Sequence, residues 1–196
     1  NFKSWPGGPS KPQVLPSKKG VNRFTWDFRR NPLPSIHKVF IFGGLGGSSV
    51  APGKYTLKMT LGDVISETEV TILPNPKVIS SSEDFIAQQK MLVSIENTVK
   101  EMHESVNQMR SAKTQLSHYA KLLKDSKNVD SLLEKGKKLT KRINSWEENL
   151  IQAKQKTFQD VINFNNKLNA QLIQLKSYLD QANPKVTNGA KERFDD

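Results

Sequence analysis

The chain has 196 residues and contains no cysteine. This absence excludes disulfide bonds, thiol nucleophiles, thiolate metal sites and iron–sulfur clusters. It leaves the compartment open, because a protein without thiols can work in either redox setting. No segment approaches the roughly 18 consecutive apolar residues of a membrane-spanning helix. Residues 1–16 contain charge, proline and glycine where a signal peptide has a basic start and an unbroken apolar core, so we expect neither a membrane span nor a targeting segment.

Motifs for catalysis, metals and cofactors are missing as well. Four glycines lie between residues 43 and 47, but no Lys-Ser/Thr pair follows them, and Ser49 stands where a dinucleotide fingerprint needs its last glycine. We interpret this segment as a flexible loop. The three histidines share no metal-ligand spacing, and the adjacent Glu147 and Glu148 diverge on a helix as solvated charge. The sequence predicts no catalytic residue, no metal site, no cofactor and no enzymatic activity within this chain.

Proline and glycine are nearly absent from the second part of the chain. Nine of the ten prolines and nine of the eleven glycines precede residue 80. This change in composition predicts a domain boundary at a linker formed by residues 73–76. Residues 1–76 have the pattern of strands and loops, and residues 77–196 have the pattern of helices, which predicts a multidomain α+β protein.

The first part contains three or four candidate strands. Residues 21–28 place Phe24, Trp26 and Phe28 on one face, and residues 39–42 form a short apolar run. Apolar and polar side chains also alternate over residues 54–61 and 64–73, on either side of a Gly-Asp turn, which predicts a β-hairpin. Because a sandwich needs about seven strands, we expect either a small open sheet or a sandwich whose first strands lie upstream.

Apolar residues in the second part recur at the three- and four-residue spacing of amphipathic helices. The first predicted helix begins near Ser82, which we take as its cap, and ends within residues 124–128. Lys113 interrupts its apolar stripe. The second helix extends from about residue 128 to residue 151, and Gly136 inside it costs roughly 1 kcal/mol of helix propensity.

Two further helices are predicted after a connection at residues 158–166. The third helix spans about residues 167–182. Asn183 and Pro184 are typical of a helix start, and Ala190 and Phe194 have the spacing of a fourth helix. Residues 77–196 are therefore expected to form an antiparallel bundle of three helices and the start of a fourth.

Short motifs in the first part resemble a known family. They are the G-x-N-x-x-x-W-D run at residues 20–27, the P-G-x-Y turn at residues 52–55 and the Val-Thr-Ile-Leu-Pro-Asn-Pro ending at residues 70–76. Together they are similar to the C-terminal Ig-like module of bacterial secreted or surface proteins that carry a sortilin-type BNR β-propeller. The Ig-like domain of the flagellar hook-capping protein has a similar signature. In the propeller proteins a helical tail resembling residues 84–194 follows.

The resemblance implies a partial Ig-like antiparallel β-sandwich over residues 1–76, with its first strands missing, followed by an antiparallel helical bundle over residues 77–196. It also implies a secreted, periplasmic or cell-surface location. The family's propeller is described as sialidase-like or glycosyl-hydrolase-like, and it is absent from this chain, so no catalytic residue is carried over. The resemblance covers about the whole chain, but its motifs indicate a sandwich fold and no particular function.

The expected function is that of a noncatalytic C-terminal accessory or interaction module acting in protein–protein assembly. Its partner would be the upstream propeller of the same polypeptide or another protein chain, because helical grooves and an open sheet edge both accept partners. One alternative is the tail of a glycoside-hydrolase-like or peptidase-like enzyme whose active site lies upstream. Another is a carbohydrate-binding module, for which Trp5 is the candidate stacking residue because it lies outside any predicted strand.

The net charge of +11 raises the question of a polyanionic partner. Residues 1–80 have eleven Lys or Arg against four Asp or Glu, which leaves +4 of the +11 for the rest, so basicity is spread. The candidate polyanion contacts form a basic strip on the second helix, consisting of Lys135, Lys137, Lys138, Lys141 and Arg142. The aromatic residues do not interleave with these cations, so we expect a solvated helix face and disfavour nucleic acid.

Overall fold

The computed structural model describes residues 5–196, and residues 1–4 of the predicted first domain lie outside this part. The described residues contain two β-strands, four α-helices and one short 3-10 helix. The strands are β1 (Gly53–Leu61) and β2 (Val64–Ile72), and the 3-10 helix is Phe158–Ile162. The α-helices are α1 (Ser82–Leu122), α2 (Asp130–Leu150), α3 (Leu168–Leu179) and α4 (Asn188–Asp195).

The predicted Ig-like β-sandwich is wrong. In residues 5–196 the only sheet has two strands, β1 and β2. Residues 21–28 do not form a strand, because Phe28 adopts a left-handed backbone conformation with φ of 57° and the Trp26 indole donates to the Arg29 carbonyl oxygen at 2.9 Å. The Trp26 ring lies 5.3 Å from the Phe28 ring and 6.2 Å from the Tyr55 ring of β1. The alternation over residues 21–28 therefore does not mark a sheet face.

The predicted β-hairpin is confirmed. β1 and β2 pair antiparallel from Gly53 opposite Ile72 to Leu61 opposite Val64, and Gly62 supplies the positive φ of 57° that the two-residue turn requires. Lys58 and Glu67 form an ion pair at 3.1 Å on one face. The opposite face is largely apolar, and its members are Tyr55, Leu57, Met59, Leu61, Val64, Ser66, Thr68 and Val70. We call it the apolar hairpin face.

Helix α1 begins as predicted at Ser82, but its cap is Ser81. The Ser81 hydroxyl accepts from the Asp84 amide at 3.2 Å, and the Asp84 carboxylate accepts from the Ser81 amide at 3.0 Å, forming a capping box. The helix has 41 residues, a length of about 60 Å at 1.5 Å per residue. Its buried residues all lie between Leu92 and Val106, so its last four turns extend beyond the core.

The apolar core combines α1 and α3 with an irregular segment, residues 33–45. Val39 and Ile41 of the second predicted strand are buried, but they pack on helices and not in a sheet. The side chains of this core are almost inaccessible, and they are Leu33, Ile36, Val39, Ile41, Leu45, Leu92, Ile95, Val99, Met102, Val106, Ile151, Leu172, Ile173, Leu175 and Leu179. Part of the Pro/Gly-rich region therefore belongs to the helical core, while the division at residue 76 stays a prediction.

The last helix begins later than predicted. Thr187 is its cap, because the hydroxyl accepts from the Ala190 amide at 3.2 Å, whereas Pro184 is buried before the helix. Ala190 and Phe194 pack against the core, as their spacing suggests. Within the described residues, none of the helices is both long enough and apolar enough to cross a membrane.

Candidate functional site

The glycine-rich loop packs on α1 through Glu96. This carboxylate is buried in the middle of the helix, beside the core residue Ile95. Its Oε1 accepts from the Ser48 amide at 2.5 Å, and its Oε2 accepts from Arg30 Nε at 2.9 Å. One side chain therefore holds both ends of the segment from Arg30 to Ser48, which encloses the irregular part of the core.

Helix α3 holds the same loop from the other side. Asp180 accepts from the Ser49 amide at 3.1 Å and from Arg29 Nη1 at 2.9 Å. The buried ammonium group of Lys176 donates to the Gly46 carbonyl oxygen. Burial lowers the pKa of Lys176, while the charges of Glu96 and Asp180 oppose this shift. The loop, predicted to be flexible, is thus anchored by two helices.

This charged cluster does not have the arrangement of a catalytic site. Ser48 is fully buried and its hydroxyl makes no hydrogen bond, so there is no serine–base contact of the kind that activates a nucleophile. The carboxylates of Glu96 and Asp180 are occupied by backbone amides and guanidinium groups. The arrangement positions a loop, which is a structural task.

A second buried carboxylate joins α1 to α2. Glu147 was expected to be solvated, but its Oε1 accepts from Arg110 Nε at 2.9 Å and its Oε2 lies 3.3 Å from Lys113 Nζ. Burial alone would raise the pKa of Glu147, but the hydrogen bonds and charges of Arg110 and Lys113 outweigh it and lower that pKa. Arg110 also donates to the His37 carbonyl oxygen at 3.0 Å. Lys113 therefore interrupts the apolar stripe in order to pair with α2.

His103 is a buried polar link between α1, α3 and the irregular segment. Its Nδ1 lies 2.7 Å from the Pro34 carbonyl oxygen, and its Nε2 lies 3.4 Å from Asn169 Nδ2. The carbonyl accepts only, so Nδ1 carries the proton and Nε2 faces the amide donor. Burial lowers the pKa of His103, and the hydrogen bond to Pro34 opposes this shift. The imidazole is neutral at pH 7.

Protonation of His103 is expected to destabilise the protein. Because its folded-state pKa is lowered, the folded chain binds fewer protons than the unfolded chain. The contribution of the neutral His103 imidazole to the free energy of unfolding is complete above the ordinary pKa of 6.5. It is lost as the pH falls through the lowered folded-state pKa. The free energy of unfolding in urea should be measured above and below this range for the wild type and for His103→Gln. It should fall less at low pH in the variant than in the wild type. His118→Gln, on the exposed part of the same helix, should behave as the wild type, and equal pH dependence in all three proteins would contradict the assignment.

Trp5, the candidate carbohydrate-stacking residue, is held against the irregular segment. Its indole Nε1 donates to the Val39 carbonyl oxygen at 2.8 Å, and its ring meets His37 edge-on at 5.3 Å. A side chain at Gly8 would lie 2.7 Å from the indole ring, so this glycine packs directly on it. These contacts give Trp5 a packing role, and carbohydrate stacking stays a prediction.

The basic strip lies on α2 and is open to solvent. All five of its cations are exposed, whereas Ile143 and Glu147 of the same helix are buried. Lys137 is 2.7 Å from Glu134, and this hydrogen bond raises the pKa of the lysine. Residues 113–142 carry nine Lys or Arg against three Asp or Glu. More than half of the net charge of +11 is therefore concentrated here. The separate counts for residues 1–80 and for the rest of the chain did not show this concentration.

An open apolar groove lies next to this strip, between the end of α1 and the start of α2. Its volume is about 990 Å³. The apolar side chains that line it are Leu116, Tyr119, Ala120, Leu123, Leu132, Leu133 and Leu139, and the cations are Lys124, Lys135, Lys137 and Lys141. The sequence contained the signal for this surface, since α2 is amphipathic, but it did not show that its apolar face is only partly covered.

Comparison with known proteins adds no assignment to these features. No family model, curated protein or solved structure matches the chain. The resemblance to propeller-associated modules therefore stays a hypothesis. Within residues 5–196, the acidic and histidine side chains form no group of three that could hold a metal ion.

Proposed function

We propose that the chain is a noncatalytic interaction module that acts in protein–protein assembly and docks onto a β-structured partner through its hairpin. The observation that carries this proposal is the apolar hairpin face. Leu57 is 44% exposed, Met59 60%, Leu61 72% and Val64 68%. A single two-stranded hairpin is marginally stable at best in water, so a hairpin of this kind gains stability when another body covers it.

The outer edges of the hairpin support the same proposal. In the described part of the chain, no third strand pairs with β1 or β2, so each outer edge presents unpaired backbone donors and acceptors. An extended strand of a partner can add to such an edge, and a further layer of the same partner can then pack on the apolar face. A partner with a sheet satisfies both requirements at once, whereas a helix would satisfy only the second.

The resemblance to propeller-associated modules suggests that this partner is a β-propeller. It is either the upstream part of the same polypeptide or a separate chain, in a secreted, periplasmic or cell-surface setting. The charges of β1, β2 and their turn nearly cancel, with Lys54 and Lys58 against Asp63, Glu67 and Glu69. The hairpin interface therefore relies on apolar burial and backbone pairing, and not on steering by charge.

The hairpin is expected to cause self-association when the partner is absent. Exposed apolar sheet surfaces and open edges pair with other copies, so the wild type should associate with increasing concentration in light-scattering measurements. The double variant Leu57→Lys and Met59→Lys places two charges on the apolar hairpin face and should remain monomeric. Hydrogen exchange should show rapid exchange of the β1–β2 amides in the monomer and slower exchange in the associated form.

The matched control adds the same charge to the other face. Thr56 and Thr60 alternate with the mutated residues along β1, so Thr56→Lys with Thr60→Lys should leave self-association unchanged. A wild type that remains a monodisperse monomer, melts cooperatively and protects its hairpin amides as strongly as those of α1 would overturn the proposal. Equal loss of association in both double variants would indicate a general charge effect and would also overturn it.

A further inference from the structure

We infer that the groove between the end of α1 and the start of α2 binds an acidic amphipathic helix of a partner protein. This surface is separate from the hairpin and uses other residues. We call the two helix segments that form it the basic arm, residues 113–142, and the surface between them the arm groove. The inference commits to one occupant, which is a helix with one apolar stripe flanked by Asp or Glu.

The basic arm extends away from the core. The last buried residue of α1 is Val106, and the first buried residue of α2 is Ile143. In the arm, the apolar side chains of the groove remain accessible, with Tyr119 59%, Leu132 58% and Leu139 43% exposed. Two packed helices leave part of a broad apolar stripe exposed on each, and a third helix laid between them can cover that part. The arm therefore has two of the three walls of a helical bundle.

Gly136 makes room for that third helix. It lies inside α2, where glycine is a poor helix former, yet it lines the arm groove. No atom lies within 4 Å of the position that a side chain on Gly136 would occupy. Glycine at this position allows the backbone of a partner helix to approach closely. A feature that weakens α2 in isolation thus serves the groove.

The charge of the arm specifies an acidic partner. Four lysines line the groove itself, namely Lys124, Lys135, Lys137 and Lys141. With nine basic against three acidic side chains over residues 113–142, the arm repels basic helices and a second copy of itself. Complementary charge increases the association rate and excludes wrong partners, while burial of the leucines supplies the affinity.

Two other polyanions fit the groove less well. Nucleic acid would contact the lysines through its phosphates, but it offers nothing to the leucines between them. An anionic membrane offers both charge and an apolar phase, but the apolar side chains lie between two helices, in a groove, and a flat bilayer would reach only its rim. A helix is the partner that reaches the leucines and the lysines together.

The test uses synthetic peptides and the intact chain in titration calorimetry. The probe is an amphipathic peptide with Leu at the a and d heptad positions and Glu at most others. It should bind at least about 10-fold more tightly than a scrambled peptide of the same composition, because scrambling removes the stripe that buries the leucines. A matched peptide with Lys in place of Glu should not bind. Binding of the acidic peptide should weaken as salt is raised.

Substitutions in the arm separate the groove from general charge. Gly136→Leu fills the groove and replaces glycine with a better helix former, so it should melt no earlier than the wild type but bind the acidic peptide at least about 10-fold more weakly. Lys135→Glu with Lys141→Glu should weaken binding of the acidic peptide and allow the Lys peptide to bind. Lys185→Glu with Lys191→Glu, two exposed lysines outside the arm, makes the same change in net charge and should alter neither.

Several results would overturn the inference. Equal affinity for the acidic and scrambled peptides would show that only charge is recognised, and unchanged binding by Gly136→Leu would place the peptide outside the groove. Duplex DNA, or vesicles of phosphatidylcholine with phosphatidylserine, could also bind more tightly than the acidic peptide. If Gly136→Leu leaves that binding unchanged, the arm recognises a polyanion or a membrane and not a helix. Because none of these variants changes the hairpin, self-association of the wild type remains an independent readout for the proposed function.

Discussion

Gly47→Ala is expected to lower the free energy of unfolding by about 3 kcal/mol or more, the upper end of the effect of overpacking a closed site. A Cβ at this position would lie 2.3 Å from the Arg30 carbonyl oxygen and 2.6 Å from the Asn31 carbonyl oxygen. Both are backbone atoms, and the Arg30 backbone is held by its hydrogen bond to Ser48 at 2.9 Å. The clash therefore cannot be relieved by rotation of a side chain. Urea unfolding followed by helical circular dichroism measures the loss.

Gly46→Ala is the matched control for this substitution. No atom lies within 4 Å of the Cβ position at Gly46, and alanine restricts the unfolded chain more than glycine does. This variant should therefore unfold at the same urea concentration as the wild type or slightly above it. If the two substitutions had similar effects, the close approach between Gly47 and the Arg30 backbone would not exist in solution.

Periodicity along the sequence predicted the elements that depend on local spacing. The start of α1 at Ser82, the hairpin with its Gly62 turn and the position of α3 all agree with the structure. Each of these patterns repeats several times within one element, so a single exception does not change the outcome. Lys113 is such an exception, and α1 continues through it.

The same reasoning was wrong where the pattern was short. Phe24, Trp26 and Phe28 alternate, but three residues of alternation also fit an irregular chain, and Phe24 and Phe28 remain about half exposed. The apolar run at residues 39–42 was taken as a strand because apolar content does not distinguish strand from core loop. Its buried residues Val39 and Ile41 belong to the core formed with α1 and α3, whose core residues are more than fifty positions away in sequence. The resemblance to Ig-like modules reinforced the first error, because it rested partly on residues 20–27.

The buried charges were the least predictable feature. Lys176 lies within a helix whose neighbours Leu172, Leu175 and Leu179 are all buried, and a charge in such a stretch signals a specific partner. The sequence could have identified that signal, but not the partner, since the Gly46 carbonyl oxygen is an uncharged backbone atom 130 residues away. Glu147 and Glu148 were both expected to be solvated, and this expectation is right only for Glu148, which is exposed. Adjacent residues on a helix point in different directions, so composition alone does not separate them.

Glu96→Gln is expected to cost about 2–4 kcal/mol of unfolding free energy, because breaking a buried ion pair leaves its partners without compensation. The Glu96 side chain is 8% exposed and Arg30 is 40% exposed, so water compensates Arg30 in part and the cost stays below the value for a fully enclosed pair. The glutamine amide can accept from either Ser48 or Arg30, but its NH₂ group then faces the other donor. The buried ammonium of Lys176 also loses a nearby negative charge. Chemical unfolding measures the total.

Glu67→Gln in the hairpin provides the comparison, because it removes the same charge from an ion pair that is open to water. Lys58 and Glu67 are 55% and 51% exposed at a distance of 3.1 Å, and such pairs contribute about 0–1 kcal/mol. The difference between the two variants therefore isolates burial from the loss of one charge. If both variants unfold at the same urea concentration, the loop at residues 46–49 is held by Lys176 and Asp180, and Glu96 contributes no more than a surface carboxylate. A larger loss in Glu96→Gln assigns to this one carboxylate the task of holding the Arg30–Ser48 segment on α1.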